Sequence, residues 1–149
     1  MILRLVGREP ERVSCVGQSW ILGGIEDAVV VNLDFGDGFG AHVFVSWQHP
    51  FKEQRLVVNG ENGVLVFEDS APPERKLVRY HHSVDCSNPR PVAKKGEEEP
   101  LSYPKTEPLR DECQAFLTAV ATRTPPPTDG PSALRVLRVL EAAQTSLDS

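Results

Sequence analysis

The chain is short of cysteine, of positive charge and of long apolar runs, and each shortage removes a class of function. Only three cysteines occur among 149 residues: Cys15, Cys86 and Cys113, far apart and without a C-x-x-C pair. An odd, scattered set does not suit a disulfide framework, so the cysteines read as incidental thiols of a cytoplasmic protein. A nucleophilic cysteine needs a histidine partner. His81 and His82 are near Cys86 in sequence, but they read as a strand end running into a loop. Lys and Arg number 16 against 21 Asp and Glu, a net charge of −5. A nucleic-acid surface normally needs the opposite balance, so no nucleic-acid partner is expected. No apolar run approaches the roughly 20 residues that span a bilayer, so no membrane partner is expected either. Met1 to Gly7 is too short for a signal peptide and has no small-residue cleavage site.

What remains is ordinary globular composition, 40% hydrophobic and 25% charged. The length suits one domain, residues 1–149, able to bury roughly 70% of its unfolded surface. The 13 prolines cluster late and point to a loop-rich second half. Met1 to Gly7 has helical apolar spacing and ends on a glycine, so it reads as the last turns of a helix. A helix this short does not stand alone, so the chain reads as opening in mid-element.

Strands follow. Arg12 to Gln18 alternates, with Val13, Cys15 and Gly17 on one side. Ala28 to Phe35 puts Val29, Val31, Leu33 and Phe35 on one face and Val30, Asn32 and Asp34 on the other. Ala41 to Trp47 returns after a turn at residues 36–40. Arg55–Asn59 and Val64–Glu68 flank a Gly/Asn cluster, which is expected to supply the positive-φ residues of a tight hairpin. Lys76 to His81 is one more strand. Short connections imply antiparallel neighbours. Composition then shifts: Asp85 to Glu107 reads as a long surface loop with an extended piece at Leu101 to Pro104. Two helices close the chain. The first, Pro108 to Thr122, has a stripe of Leu109, Cys113, Phe116, Leu117 and Val120. The second, Ala133 to Leu147, has one of Leu134, Leu137, Leu140, Ala143 and Leu147. The fold class is α+β: an open, mainly antiparallel sheet with helices on one face. The other face, half apolar and uncovered, is expected to mediate self-association into a dimer or tetramer.

Gly36-x-Gly38-x-x-Ala41 matches a permissive dinucleotide fingerprint, but strand formers follow it where a helix N-terminus is required, so it reads as a hairpin turn. His42, His49, His81 and His82 lack metal-ligand spacing, and no metal site is expected. Asp111/Glu112 and Asp34/Asp37 read as a first helical turn and a β-turn. The run Trp47-Gln48-His49-Pro50-Phe51-Lys52 places an aromatic plate, an imidazole and a cation together at a strand end. That set suits a sugar or nucleotide: a ring to stack on, donors for hydroxyls, charge for phosphate. A core or dimer-face role for Trp47 and Phe51 fits the same residues.

Three stretches, SWQHPFKEQRLVVNGENGVLVFED, EPLRDECQAFLTAV and TDGPSALRVLRVLEAAQTSL, resemble the C-terminal domain of the Gfo/Idh/MocA oxidoreductases, in particular dehydrogenases of UDP-N-acetylglucosaminuronate and related sugar nucleotides. The resemblance implies an open-sheet domain that assembles through its exposed face. It implies NAD(P) for the whole enzyme, held on a Rossmann domain that has no counterpart here, and a Glu-Lys-Pro motif that does not occur in this sequence. No catalytic residue therefore carries over, and no cofactor is expected on this chain alone. The sugar-facing sheet edge does carry over, giving Trp47, His49, Lys52 and Arg55 as candidate substrate contacts, with Tyr80 and His81 beside them.

The first expectation is thus a substrate-binding and oligomerisation domain of a sugar-nucleotide dehydrogenase, inactive by itself and present without its cofactor half, either as a fragment or as a separately encoded domain with a Rossmann-domain chain as partner. The alternative is a non-catalytic, dimeric binding or scaffold protein of the same descent. A self-contained small enzyme using His49 and Lys52 ranks third.

Overall fold

The computed structural model describes residues 1–87 and 89–149. They fall into two compact units, one of Met1–His49 with Pro108–Ser149 and one of Pro50–Glu107.

The first unit opens with α1 (Ile2–Val6), which ends at Gly7 in a left-handed conformation, φ 78°, its N–H donating to the Leu3 carbonyl. Three antiparallel strands follow: β1 (Arg12–Gln18), β2 (Ala28–Asp34) and β3 (Gly40–Ser46), in that spatial order. The β2–β3 register runs from Ala28↔Ser46 to Asp34↔Gly40. The connecting turn is closed by Phe35 N donating to Phe39 O and Phe39 N to Gly36 O, both 2.9 Å. Gly36, Asp37 and Gly38 all have positive φ there, which explains two of the three residue choices. The turn leads straight into β3, so the hairpin reading of Gly36 to Ala41 holds.

The first unit closes with α2 (Pro108–Thr122) and α3 (Gly130–Leu147). Asp129 caps α3 by accepting a hydrogen bond from Ser132 N, 2.9 Å. The C-terminal end of α3 lies on β1. Cys15 N donates to Ser146 Oγ at 3.0 Å. A methyl added to Gly17 would sit 3.0 Å from Leu147 Cδ1. Cys15, Leu33, Phe35 and Ala143 are buried in this unit. Phe35 is wholly enclosed, edge-on to Phe39 at 5.7 Å. The opposite face of the sheet carries Ser14, Val16, Val30, Asn32, His42 and Phe44, with Val16 and Phe44 exposed.

The helical stripes depart from expectation. Leu109, Cys113, Phe116, Leu117 and Val120 on α2 are all exposed. So are Leu134, Leu137 and Leu140 on α3, whereas Ala143 is buried and Leu147 half-buried. On α3 the residues withdrawn from solvent are Ser132, Arg135, Val139, Ala143, Ser146 and Leu147, at helical spacing, so its inward face is turned away from most of the leucine stripe.

The second unit contains β4 (Arg55–Gly60), β5 (Gly63–Glu68), a 3-10 turn at Pro73–Arg75, β6 (Leu77–Tyr80), β7 (Ser83–Asp85), β8 (Val92–Lys94) and β9 (Glu98–Pro100). β4, β5, β6 and β9 form one antiparallel sheet in that order, and β7 pairs with β8. Val78 is its buried centre. The β4–β5 hairpin pairs Gly60 with Gly63. Of the Gly/Asn cluster only Gly63 has positive φ, 132°, so Asn59, Gly60 and Asn62 do not have the conformation expected of them.

The described residues of 85–107 hold more strand than a surface loop would. They hold the end of β7, all of β8, and β9 at 98–100, ahead of the extended piece expected at 101–104. Asn88, inside this stretch, lies outside the described residues. Charge pairing supplies what propensity lacks: Lys94 Nζ to Asp85 Oδ2 at 2.8 Å, Arg75 to Glu98 at 2.6 Å, His81 Nε2 to Glu99 Oε2 at 2.9 Å. Pro100 is tolerated because β9 is an edge strand. The α+β class with mainly antiparallel strands holds. Among the described residues, no helix is long and apolar enough to cross a membrane.

Candidate functional site

The β2–β3 register positions the first candidate. Continuing the Ala28↔Ser46 pairing by one residue sets Asp27 opposite Trp47. Trp47 Nε1 donates to Asp27 Oδ1 at 2.7 Å. The other carboxylate oxygen, Oδ2, accepts from the backbone N–H of Trp20 at 2.5 Å and of Ile21 at 2.9 Å. The Asp27 carbonyl accepts from Ser46 Oγ at 3.0 Å. Asp27 is 1% exposed. The Trp20 amide, then Ile21, Trp47 and the Gln48 side chain, hold its carboxyl below the usual range against the opposing effect of burial. One carboxylate therefore fixes both the loop 19–27 and the indole at the end of β3. Trp47 itself is 64% exposed, with its only polar atom turned inward. His49 is exposed, its ring 5.4 Å from that of Phe44.

The remaining candidates belong to the second unit. Lys52 is exposed, and its charge helps lower the Asp69 pKa, after the larger effects of Lys76. Arg55 is committed to carboxylates: Nε to Glu68 Oε2 at 2.5 Å and Nη1 to Glu53 Oε1 at 3.1 Å. Glu68 hydrogen-bonds Ser70 as well, and its pKa is lowered by that hydroxyl and by Arg55. Tyr80 is half-buried on β6 and lines a shallow opening of about 340 Å³ with Val64, His82, Lys95 and Gly96. His81 is held at Glu99. So Trp47 and His49 sit close along one chain segment, Lys52 and Arg55 both lie near the carboxylates of 68–69, and His81 faces β9.

Sequence reasoning missed Asp27 and Trp20. The signal was available: the turn at 36–40 fixes the register, and the register places an acid opposite Trp47. Among the described residues no group of three His, Cys, Asp or Glu gathers as a metal site. A dinucleotide does not fit Gly36 to Ala41, because the turn opens a strand and no helix N-terminus meets it.

Residues 1–66 match the family model of the GFO/IDH/MocA C-terminal domain. No curated protein gives a significant match. Solved structures do. A protein named as an oxidoreductase from Magnetospirillum magnetotacticum MS-1 is 30% identical, with TM-score 0.76, over 95% of this chain and 44% of its own. UDP-N-acetylglucosamine 3-dehydrogenase GnnA from Acidithiobacillus ferrooxidans is 20% identical, with TM-score 0.73, over 97% of this chain and 43% of its own. The protein yvaA from Bacillus subtilis, also named as an oxidoreductase, is 16% identical, with TM-score 0.65, over 97% of this chain and 45% of its own. The chain thus spans less than half the length of the solved relatives it matches. The likeness read from the residues holds: this chain resembles the C-terminal domain of the Gfo/Idh/MocA oxidoreductases, in family signature over residues 1–66 and in fold over nearly its whole length.

Proposed function

We propose that residues 1–149 form a single substrate-side domain of an NAD(P)-dependent sugar-nucleotide oxidoreductase of the cytoplasm, one that supplies sugar contacts and self-association but not the cofactor site. The observation that carries this is the pairing of the family signature with a fold covering less than half of each solved relative, one of them named a UDP-N-acetylglucosamine 3-dehydrogenase. Trp47, His49, Lys52, Arg55, Tyr80 and His81 are the proposed substrate contacts. Hydride transfer then requires a Rossmann-type unit that brings NAD(P), whether on the same polypeptide or on another. The uncovered sheet face with Val16 and Phe44 is the proposed surface for a dimer or tetramer.

The test is calorimetric titration of the purified chain with UDP-N-acetylglucosamine and, separately, NADH, with light scattering on the same sample. The expected outcome is sugar-nucleotide binding by a dimer or tetramer without NADH binding. Saturable NADH binding would overturn the division of labour. A second reading, a non-catalytic binding or scaffold protein, is favoured by the exposed stripes of α2 and α3. It predicts an assembly broken by Phe116→Glu, and no turnover when a Rossmann-type unit and NAD(P) are supplied.

A further inference from the structure

The sequence contains two tryptophans, and one carboxylate holds both, Trp47 by its indole N–H and Trp20 by its main-chain N–H. We propose that Trp47 is a rigid aromatic platform on which one ring of a sugar nucleotide, uracil or pyranose, stacks, with Asp27 as the positioning residue. This rests on the sugar-nucleotide reading above and adds Asp27 to it.

A buried carboxylate at the head of a strand needs donors, and two loop amides and the Gln48 side chain already serve Asp27. A serine or threonine at position 47 could complete the set without leaving an indole in water. Instead the third side of the carboxylate is met by Trp47, whose ring remains 64% exposed. With Nε1 satisfied inside the protein, what the ring offers outward is its π-face, and that face suits stacking rather than hydrogen bonding. Trp20 is 65% exposed, and its backbone is held by the other oxygen of the same carboxylate. An aromatic ring immobilised before the ligand arrives loses little further freedom on binding. Ile21 and Leu22 on the same loop are exposed too, which makes a second copy of the chain the rival occupant.

The two tryptophans are both held by Asp27, so the emission reads the surroundings of this carboxylate. The full chain is titrated with UDP-N-acetylglucosamine by calorimetry and by tryptophan emission in parallel, with uridine diphosphate and N-acetylglucosamine as separate arms. The expected result is a saturable emission change with the calorimetric midpoint, reproduced by whichever arm carries the stacked ring. Trp47→Ala should weaken binding about tenfold, the effect of losing one stacked ring. Trp47→Phe, which keeps a ring without the tether, should fall between. Asp27→Asn should collapse the near-ultraviolet dichroism of the indoles and weaken binding in parallel. If that variant does not fold, the two Trp47 variants carry the test. Heat without an emission change, or unchanged affinity in Trp47→Ala, overturns the platform and leaves the sugar-nucleotide reading standing. No heat overturns that reading and the platform with it. Emission that follows protein concentration but not ligand assigns the loop to a second copy and overturns the platform.

Discussion

Gly17→Ala tests whether the end of α3 truly closes the β1 face. A glycine in a strand interior is ordinarily a weakness, and replacing it with alanine gains roughly 0.5–1 kcal/mol. Here the new methyl would stand 2.6 Å from Glu26 Cγ, 2.8 Å from Val29 Cγ1 and 3.0 Å from Leu147 Cδ1. Glu26 can swing aside. Val29 is β-branched and set in the neighbouring strand, and Leu147 is anchored by the last turn of α3, so neither yields freely. Overpacking of this kind costs roughly 1–3 kcal/mol. The clash outweighs the backbone gain, and a net loss near 1 kcal/mol is expected. In urea, with a slope of roughly 1–3 kcal/mol per molar, the unfolding midpoint should drop by about 0.3–1 M. Leu147→Ala removes one obstacle, so the double variant should lose less than the sum of the single variants, with a coupling of at least about 0.5 kcal/mol. A Gly17→Ala protein more stable than its parent, or strict additivity with Leu147→Ala, would refute the contact and the seating of α3 with it.

Two further outcomes are expected. Phe35→Ala empties the one fully enclosed aromatic site of the first unit and should cost about 3–5 kcal/mol in the same urea assay; a loss below about 1 kcal/mol would mean the site collapses or was never packed. The Asp85 carboxyl is lowered from 3.8 to about 2 by Lys94, then by the hydroxyl and amide of Ser87. A depressed folded-state pKa means the stabilisation is complete above pH roughly 4 and lost as pH falls toward 2. Carbon-detected NMR of the Asp85 carboxyl should therefore titrate well below an ordinary aspartate, and Lys94→Met should move the midpoint up; a midpoint near 4 in the parent would contradict the Lys94–Asp85 pair.

The first strands were legible because their alternation is strong and their turn is marked. Val29, Val31 and Leu33 against Val30, Asn32 and Asp34 fix both the faces and, with the glycines of 36–40, the register. The start of α2 followed from Pro108, whereas α3 begins at Gly130, three residues before the expected Ala133, because Asp129 caps it and Pro131 fits its first turn. β8 and β9 were not legible, because VAK and EEP have no strand signature. They pair through Lys94–Asp85, Arg75–Glu98 and His81–Glu99, and those contacts join residues up to 23 positions apart. Packing of the helices was misjudged for a related reason: an apolar stripe states that a face can be buried, not that this chain supplies the cover. Trp47 was recognisable as an exposed ring at a strand end. Asp27 looked like one more acid ahead of a strand, and its role emerges only when two hairpin partners and a loop converge on it.

Gly96 sits in a charged stretch, Lys94-Lys95-Gly96-Glu97, of the kind in which almost any replacement is usually tolerated. Yet a Cβ there would lie 1.7 Å from the His81 carbonyl oxygen, backbone against backbone, with no side chain to give way. A saturation scan should find this position as intolerant as the core while its lysine and glutamate neighbours accept most residues. Sequence drift in this strand-poor region would then be gated by a single hydrogen atom's worth of room.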